Sequence, residues 1–362
     1  MATVDLILPH HRYPIQIGPG LLADLGTRVR TAAPHDRATL IIDDKITETH
    51  GKTAVNALKA AGFDPLSTTM HAGEDHKNLA TVEKLYHPML DERLERKSPV
   101  VAVGGGIVGD TGGFVAASYL RGVPFVQCPT TLLAMVDASV GGKVGVNMPQ
   151  GKNLIGAFHQ PVLVVIDTDT LKTLPKRDFI CGLAECIKHG VIRDPELFNW
   201  IDQNAEAIFG LDSSALVELV ERNVRIKAAV VMEDEKEAGV RAHLNFGHTF
   251  AHAIEAGTEY GRYLHGEAVS LGMVAAARLA AETGRCDAAV AEKLTTLLNK
   301  VGLPTTANDL PATAKLMDIM RSDKKVADGK VRLVLPDKLG AVSIVKDTPD
   351  GQVAAAWDSL RS

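Results

Sequence analysis

Residues 100–114, VVAVGGGIVGDTGGF, decide the fold class, because a short apolar run leads directly into a glycine cluster and then into a helical pattern. The run at 100–103 is typical of a buried strand in a parallel sheet. Gly104, Gly105 and Gly106 follow where a helix would begin, and backbone amides there can approach a pyrophosphate. The stretch lacks the GxGxxG fingerprint, however, and a tight turn in any α/β protein explains three glycines equally well.

Similar apolar runs alternate with helical patterns through the first half of the chain. Residues 52–62 and 78–95 have helical periodicity, with glycine or charge at their ends. This alternation predicts an α/β domain in which helices cover a parallel sheet. The candidate strands are residues 38–43, 99–103, 124–128 and 162–167.

Asp43 ends the first of these strands, where an acceptor for a ribose hydroxyl is expected in a dinucleotide-binding domain. An ordinary loop aspartate or a helix N-cap is the simpler explanation of a single residue of this type.

After about residue 170 the pattern becomes helical, as in residues 215–231, 265–282 and 290–302. Only residues 330–336 and 340–346 resemble strands, and their spacing predicts a hairpin. We therefore expect two domains, an α/β domain over residues 1–170 and a mostly α-helical domain over residues 171–362.

Composition excludes several classes of protein. The 362 residues are 46% hydrophobic and 23% charged, as in an ordinary globular protein, and the formal net charge of −5 argues against a nucleic-acid partner. The four cysteines form no CxxC pair, which favours a reducing, cytoplasmic setting. No signal-peptide pattern and no stretch of about 18 apolar residues is present, so neither secretion nor a membrane span is expected.

Three histidines in FGHTFAHAIEAGTEYGRYLHGEAV, residues 246–269, point to a metal site. His248 and His252 are four residues apart and share a helix face, but Thr249 excludes the HExxH motif, so a carboxylate ligand must come from elsewhere. Glu185 in GLAECIKHG is a candidate, although a surface ion pair with Lys188 explains it as well. Glu185, His248 and His265 together have the ligand count of catalytic zinc, which leaves His252 available for proton transfer or anion contact.

Several cations lie in unusually apolar surroundings. Lys143, Lys152 and Asn153 occupy a glycine-rich segment, Lys227 lies between apolar neighbours, and Arg241 precedes the histidines. Their stems can simply lie along the surface with the charge in water, although this explanation is weaker for Lys227, which is flanked by Ile226 and Ala228. If they converge, they suit a small substrate that carries both phosphate and carboxylate.

Six motifs, in order along roughly residues 40–345, resemble the 3-dehydroquinate synthase family of the sugar phosphate cyclases. They read GGGIVGDTGGFVAASYLRG, CPTTLLAMVDASVGGKVGVN, GKNLIGAF, LPKRDFICGLAECIKHG, HLNFGHTFAHAIE and LHGEAVSLGM. The resemblance implies a Rossmann-like N-terminal domain and a helical C-terminal domain with the active site in the cleft between them. It also implies a homodimer, NAD and a divalent metal, commonly zinc with cobalt also effective.

The implied reaction converts 3-deoxy-D-arabino-heptulosonate 7-phosphate into 3-dehydroquinate and phosphate, a step of the shikimate pathway that leads to aromatic amino acids and chorismate. It proceeds by transient oxidation with NAD, β-elimination of phosphate, reduction, ring opening and intramolecular aldol closure.

The resemblance also assigns site residues. Metal ligation is implied for Glu185, His248 and His265. NAD contact is implied for Asp43, Glu74, Lys77, Gly104, Gly105, Gly106, Asp110, Thr130, Thr131, Lys143, Lys152, Thr173 and Leu174. Catalysis or substrate binding is implied for Asp137, Lys143, Lys152, Asn153, Lys188, Lys227, Arg241, Asn245 and His252, and for Arg121, which would reach the neighbouring subunit's site.

Two positions leave the assignment open. Lys45 stands where the family usually has Asn, which puts the adenosine-side contact in question. A late lysine in SDKKV, Lys324 or Lys325, is expected to close over the substrate.

Three other functions compete. A metal-dependent polyol dehydrogenase explains the glycines and the metal but not the cations at 143, 152, 188, 227 and 241. A related sugar phosphate cyclase with a different substrate explains most of the motifs. A non-catalytic NAD-binding protein explains only the fold.

Overall fold

The computed structural model describes residues 1–237, 239–258, 261–322 and 331–361. The chain divides into two compact units. The first contains Met1–Pro175 together with Leu211–Met232, and the second contains Lys176–Gly210 and the described residues from Glu233 onward. A helix from the part of the sequence that was predicted to be mostly helical, after about residue 170, therefore belongs to the first unit.

The first unit is built on a seven-stranded sheet in the order β1-β2-β9-β6-β5-β3-β4. β1 and β2 are antiparallel, and the other neighbouring strands are parallel. The strands of this unit are β1 (Ala2–Leu8), β2 (His11–Gly18), β3 (Arg37–Asp43), β4 (Asp64–Met70), β5 (Val100–Gly104), β6 (Phe125–Pro129), β7 (Lys143–Met148), β8 (Gly151–Phe158) and β9 (Leu163–Asp167). β7 and β8 form a separate antiparallel hairpin.

Helices cover both faces of the sheet. β5, β6 and β9 are buried along their whole length, because one hydrophobic cluster packs on each face of the sheet. The helices before the second unit are α1 (Leu25–Ala32), α2 (Lys52–Ala60), α3 (Leu79–Asp91) and α4 (Gly106–Ser118). All four expected strands and both expected helices of this half are confirmed.

The strands that the sequence analysis missed are β1, β2, β4, β7 and β8. β1 and β2 alternate buried and exposed residues, with Val4, Leu6 and Leu8 facing the core in β1. This period of two is the signal of a half-buried strand, but it is weaker than the continuous apolar runs of β5 and β9. In β8, most residues are exposed, so hydrophobicity gave no signal.

The second unit is mainly helical, and its hairpin is the one expected near the end of the chain. Counted along the chain, the remaining elements are α5 (Lys176–Ile192), α6 (Pro195–Gln203), α7 (Ala205–Phe209), α8 (Ser213–Glu233), α9 (His248–Gly257), α10 (His265–Glu282), α11 (Ala288–Lys300), α12 (Thr313–Ser322), β10 (Leu333–Lys338), β11 (Ala341–Val345) and α13 (Asp350–Asp358). Most of α8, residues 213–232, lies in the first unit. None of the described helices is long and apolar enough to cross a membrane.

α9 and α10 pack backbone against backbone. A Cβ atom added at Gly272 in α10 would lie 2.1 Å from the carbonyl oxygen of Gly247, the residue before α9. Gly247 itself has a φ of +78°, a conformation that favours glycine. This close approach sets the separation between the start of α9 and the second turn of α10.

We expect Gly272→Ala to destabilise the protein by about 1–3 kcal/mol, because the added methyl group must push α10 away from α9. Thermal unfolding followed by circular dichroism measures the effect. Gly351→Ala in α13 is the matched control, since no atom lies within 4 Å of its added Cβ. Equal unfolding midpoints for the two variants would show that the helices separate without loss of stability.

Candidate active site

Glu185, His248 and His265 come together as one cluster in the second unit. Glu185 lies in the middle of α5, while His248 and His265 are the first residues of α9 and α10. Their ligand atoms all lie within 4.8 Å of one another. The Nε2 atoms of His248 and His265 lie 3.6 and 3.7 Å from the same oxygen, Oε1 of Glu185. The structure thus brings together the three residues expected from the sequence.

Glu185 is a fully buried charge, and Lys188 compensates it. Lys188, one helical turn on, forms an ion pair with Oε2 of Glu185, and both side chains are inaccessible to solvent. Burial by itself raises the pKa of Glu185, but Lys188, His248 and His265 hold that pKa well below its usual range. The alternative of a surface ion pair between Glu185 and Lys188 is therefore wrong.

The outer nitrogens of the two histidines have partners as well. Nδ1 of His248 lies 3.1 Å from the carbonyl oxygen of Phe246, and Nδ1 of His265 lies 3.5 Å from Oε1 of Glu255. Burial opposes the charged form of His265, yet Glu185 and Glu255 raise its pKa to about 10. Both rings therefore present Nε2 to the space beside Glu185.

A divalent metal fits this cluster. Among the described residues, neither oxygen of the buried Glu185 carboxylate accepts a hydrogen bond of good geometry. Two imidazole nitrogens and one carboxylate match the protein ligands of a catalytic zinc centre. A bound cation would lie beside Oε1 of Glu185, the oxygen that both imidazole Nε2 atoms face.

The glycine cluster lies at the carboxyl end of β5, as the sequence predicts. Gly105 is the N-cap of α4, and the amide of Thr130 donates to the carbonyl of Gly104 over 2.9 Å. Most of the other residues expected to contact NAD lie at or after the carboxyl ends of parallel strands, which meet at one edge of the sheet. Asp43 ends β3, Glu74 and Lys77 follow β4, Asp110 lies in α4 after β5, Thr130 and Thr131 follow β6, and Thr173 and Leu174 follow β9, whereas Lys143 and Lys152 lie in the β7–β8 hairpin.

Asp43 also acts as the N-cap of the short helical turn that follows β3. Its carboxylate accepts a hydrogen bond from the amide of Lys45 over 3.0 Å, so the simpler explanation of Asp43 is observed in the structure. Burial raises the pKa of Asp43, and the amide of Lys45 opposes that shift. The Lys45 side chain is exposed.

Lys77 is the centre of a polar network in the first unit. Its buried Nζ donates to Oδ2 of Asp110 over 2.5 Å and to Oδ1 of Asn153 over 2.6 Å. Burial raises the pKa of Asp110, and Lys77 partly offsets that shift. Lys152 lies 3.8 Å from Glu74, whereas Lys143 is exposed at the start of β7. The loop after β4 and the β7–β8 hairpin are thereby joined.

Lys227 forms a second buried pair. Its Nζ donates to Oδ1 of Asp137 over 2.6 Å and also to the Asp137 carbonyl. The Lys227 side chain is 7% exposed, so its charge does not lie in water, as its apolar neighbours in the sequence indicated.

Arg241, Asn245 and His252 lie close to the metal cluster along the chain of the second unit. Arg241 is buried and donates to the Glu235 carbonyl, while Asn245 donates to Glu237 over 2.9 Å. The ring centre of His252 lies 5.8 Å from that of His248. The shared helix face expected for the two histidines is confirmed.

Other expected residues are separate from these networks. Arg121 is exposed and has a φ of +67°, in a short turn after α4. Lys324 and Lys325 lie outside the described residues.

Two residues that contribute to these clusters were not predicted from the sequence. Asn147 donates to Glu74 over 2.8 Å and accepts from the amide of Asn153 over 2.9 Å. Glu255 contacts His265, and its only signal in the sequence is its position seven residues after His248, on the same helix face.

The α/β unit with its glycine-rich turn and the helical unit with its two-histidine, one-carboxylate cluster define a metal-dependent enzyme of the dinucleotide-binding class. Profiles described as 3-dehydroquinate synthase N-terminal and 3-dehydroquinate synthase C-terminal match residues 67–181 and 182–326. The chain belongs to the 3-dehydroquinate synthase family.

Relatives and solved structures are similar over nearly the whole chain. A 3-dehydroquinate synthase from Desulforamulus reducens is 46% identical over 355 residues, which cover 98% of this chain and 99% of that protein. The structure of 2-epi-5-epi-valiolone synthase from Streptomyces hygroscopicus subsp. jinggangensis 5008, with NAD+ and Zn2+ bound, is 27% identical, with a TM-score of 0.90 and 98% of each chain covered. A 2-deoxy-scyllo-inosose synthase complexed with carbaglucose-6-phosphate, NAD+ and Co2+ is 23% identical, with a TM-score of 0.87, and covers 99% of this chain and 100% of its own.

We expect His248→Ala to abolish stoichiometric zinc uptake, because the site loses one of its three ligands. Zinc content after loading and desalting, measured by elemental analysis, checks this. His252→Ala is the matched control, since it removes an imidazole one turn further along the same helix and should leave zinc content unchanged. Equal zinc content in the two variants would overturn the ligand assignment.

Proposed function

We propose that this chain is a 3-dehydroquinate synthase, which converts 3-deoxy-D-arabino-heptulosonate 7-phosphate into 3-dehydroquinate and inorganic phosphate. The observation that carries the proposal is the buried Glu185, His248 and His265 cluster with Lys188 beside it, in a chain 46% identical to 3-dehydroquinate synthases over 98% of its length. The reaction serves the shikimate pathway to aromatic amino acids and chorismate.

NAD and a divalent metal, zinc or cobalt, are the cofactors of this proposal. The two solved cyclases contain NAD+ with Zn2+ or Co2+. The metal would be held by Glu185, His248 and His265. The dinucleotide would be held by the turn from Gly104 to Gly106 and by the network around Lys77. The bound metal would supply a Lewis acid for a substrate hydroxyl, and bound NAD would supply reversible hydride transfer without net consumption.

The protein itself contributes charged side chains that are held in fixed positions. The substrate carries a carboxylate and a phosphate, and the residues proposed to bind it are mostly cationic or hydrogen-bond donors. Lys188 and Lys227 are buried and each paired with a carboxylate, so they are already desolvated and positioned. Donors fixed in this way lose little rotamer freedom on binding and favour one geometry for the reacting groups. The proposed substrate-binding and catalytic residues are Arg121, Asp137, Lys143, Lys152, Asn153, Lys188, Lys227, Arg241, Asn245 and His252.

Elimination of phosphate requires a base. His252 and the phosphate of the substrate itself are the two candidates in this proposal, because an imidazole nitrogen and a phosphate oxygen can each accept a proton. His252 lies beside the metal ligand His248 on α9, a position from which it can act without being a ligand.

We further propose a cytoplasmic homodimer. The four cysteines are all free thiols, which agrees with a reducing compartment. β8 is paired only with β7 among the described strands, and its Leu154, Ile155 and Phe158 side chains are between 37% and 51% exposed. An apolar strand with an open edge is a natural surface for pairing with a second copy. Arg121 is proposed to reach the site of the partner subunit.

The activity test follows phosphate release. With NAD and zinc present, we expect purified protein to release phosphate from 3-deoxy-D-arabino-heptulosonate 7-phosphate without net formation of NADH. Chelation should abolish turnover, and added Zn2+ or Co2+ should restore it.

The other outcomes separate the competing functions. Net accumulation of NADH with a polyol would identify a dehydrogenase. Phosphate release only from a sugar phosphate that lacks the carboxylate would identify a different cyclase. NAD binding without turnover of any of these substrates would identify a non-catalytic protein.

For the dimer, we expect Phe158→Asp to shift the protein from dimer to monomer, because a charge at the β8 surface must lose its hydration in the interface. Size-exclusion chromatography with light scattering measures the mass. Leu90→Asp, at an exposed leucine of α3, is the control and should remain dimeric. A monomeric unmodified protein, or a dimeric Phe158→Asp variant, would refute this surface.

A further inference from the structure

His265 lies between two carboxylates, one on each side of its ring. Its Nε2 faces Oε1 of Glu185 at 3.7 Å, and its Nδ1 faces Oε1 of Glu255 at 3.5 Å. Because the two ring nitrogens point in opposite directions, Glu255 contacts the nitrogen that faces away from the proposed metal position. An imidazole that ligates through one nitrogen commonly donates its other N–H to a carboxylate or carbonyl.

The position of Glu255 destabilises α9 when the helix is considered without its neighbours. It lies in the last turn of α9, where the partial negative charge of the helix end repels a carboxylate. Its side chain is only 10% exposed, so water does little to screen that repulsion. A carboxylate kept at this position therefore needs a compensating partner, and the structure provides His265.

The two histidine ligands are held by different kinds of acceptor. Nδ1 of His248 has the neutral carbonyl oxygen of Phe246 at 3.1 Å, whereas Nδ1 of His265 has a carboxylate. A charged acceptor orients the ring and also makes the ligating nitrogen more basic. Glu255 therefore adds negative charge beside one of the proposed ligands without being a proposed ligand itself.

We propose that Glu255 is a positioning residue of the metal centre, which fixes His265 as the Nδ1–H tautomer and directs its Nε2 to the metal. This inference rests on the proposed metal site at Glu185, His248 and His265. The carboxylate does not touch the metal in this proposal; it acts through His265. α10 is held against the start of α9 by the close approach of Gly272 to Gly247, and His265, two turns before Gly272, contacts Glu255 in the last turn of α9.

The test compares Glu255→Gln and Glu255→Ala with the unmodified protein, using Zn2+ alone as the probe in competition with a chromophoric chelator. Glu255→Gln keeps the size and an acceptor oxygen but removes the charge, and Glu255→Ala removes both. We expect both variants to bind Zn2+ about 10–100-fold more weakly, with the larger loss for alanine. Glu282→Gln, at the exposed carboxylate that ends α10, is the matched control and should bind Zn2+ like the unmodified protein.

Two further measurements separate positioning from a general structural role. Circular dichroism should show that the metal-free variants are still folded at the temperature of the Zn2+ titration, although their unfolding midpoint falls because His265 has lost a charge partner. The visible absorption spectrum of the Co2+-loaded variants should differ from that of the unmodified protein, because one ligand is no longer fixed. Unchanged Zn2+ affinity of the folded variants, or a Co2+ spectrum identical to that of the unmodified protein, would overturn the inference.

The outcome also distinguishes this inference from the proposed function. If His248→Ala loses Zn2+ while Glu255→Gln binds it normally, the metal site stands and only the role of Glu255 is refuted. If His248→Ala retains Zn2+, the metal site itself is refuted.

Discussion

A carboxylate buried in the middle of a helix, Glu185, is the constraint on which the second unit depends. An isolated charge at such a depth is strongly unfavourable, so the fold must supply compensation from several directions. Lys188 provides one partner from the same helix, and His248 and His265 provide two more from the first residues of α9 and α10. The starts of two helices carry partial positive charge, which also favours an anion beside them. Stability and metal binding thus draw on the same contacts.

The same principle recurs in the first unit, where buried lysines are paired with carboxylates. Lys77 pairs with Asp110, and Lys227 pairs with Asp137. Removing one partner of such a pair leaves an uncompensated charge at a penalty of about 3–5 kcal/mol. These residues are therefore fixed before any ligand binds, and the protein has already lost the free energy of desolvating them. The arrangement suits recognition of a small anion in a single orientation, which multistep chemistry on one substrate requires.

The local sequence pattern was sufficient to predict a strand or helix wherever that element is completely buried. The continuous apolar runs of β5 and β9 and the helical periodicity of α10 predicted those elements correctly. Half-buried and exposed strands were missed, because β1 and β2 alternate and β8 is largely exposed. Local pattern also could not show that residues 211–232 group with the first unit, since unit membership depends on contacts between distant parts of the chain.

By itself, the sequence determined the α/β and helical halves, the glycine turn and the identity of the three candidate metal ligands, because residue type and spacing carry that information. The tertiary structure decided which charges are paired: Lys188 with Glu185 inside the protein, Lys227 with Asp137, and Glu255 with His265. The reason is that Coulomb energy and desolvation depend on distance and depth in three dimensions. Residues as far apart as 137 and 227 become partners only when the chain has folded.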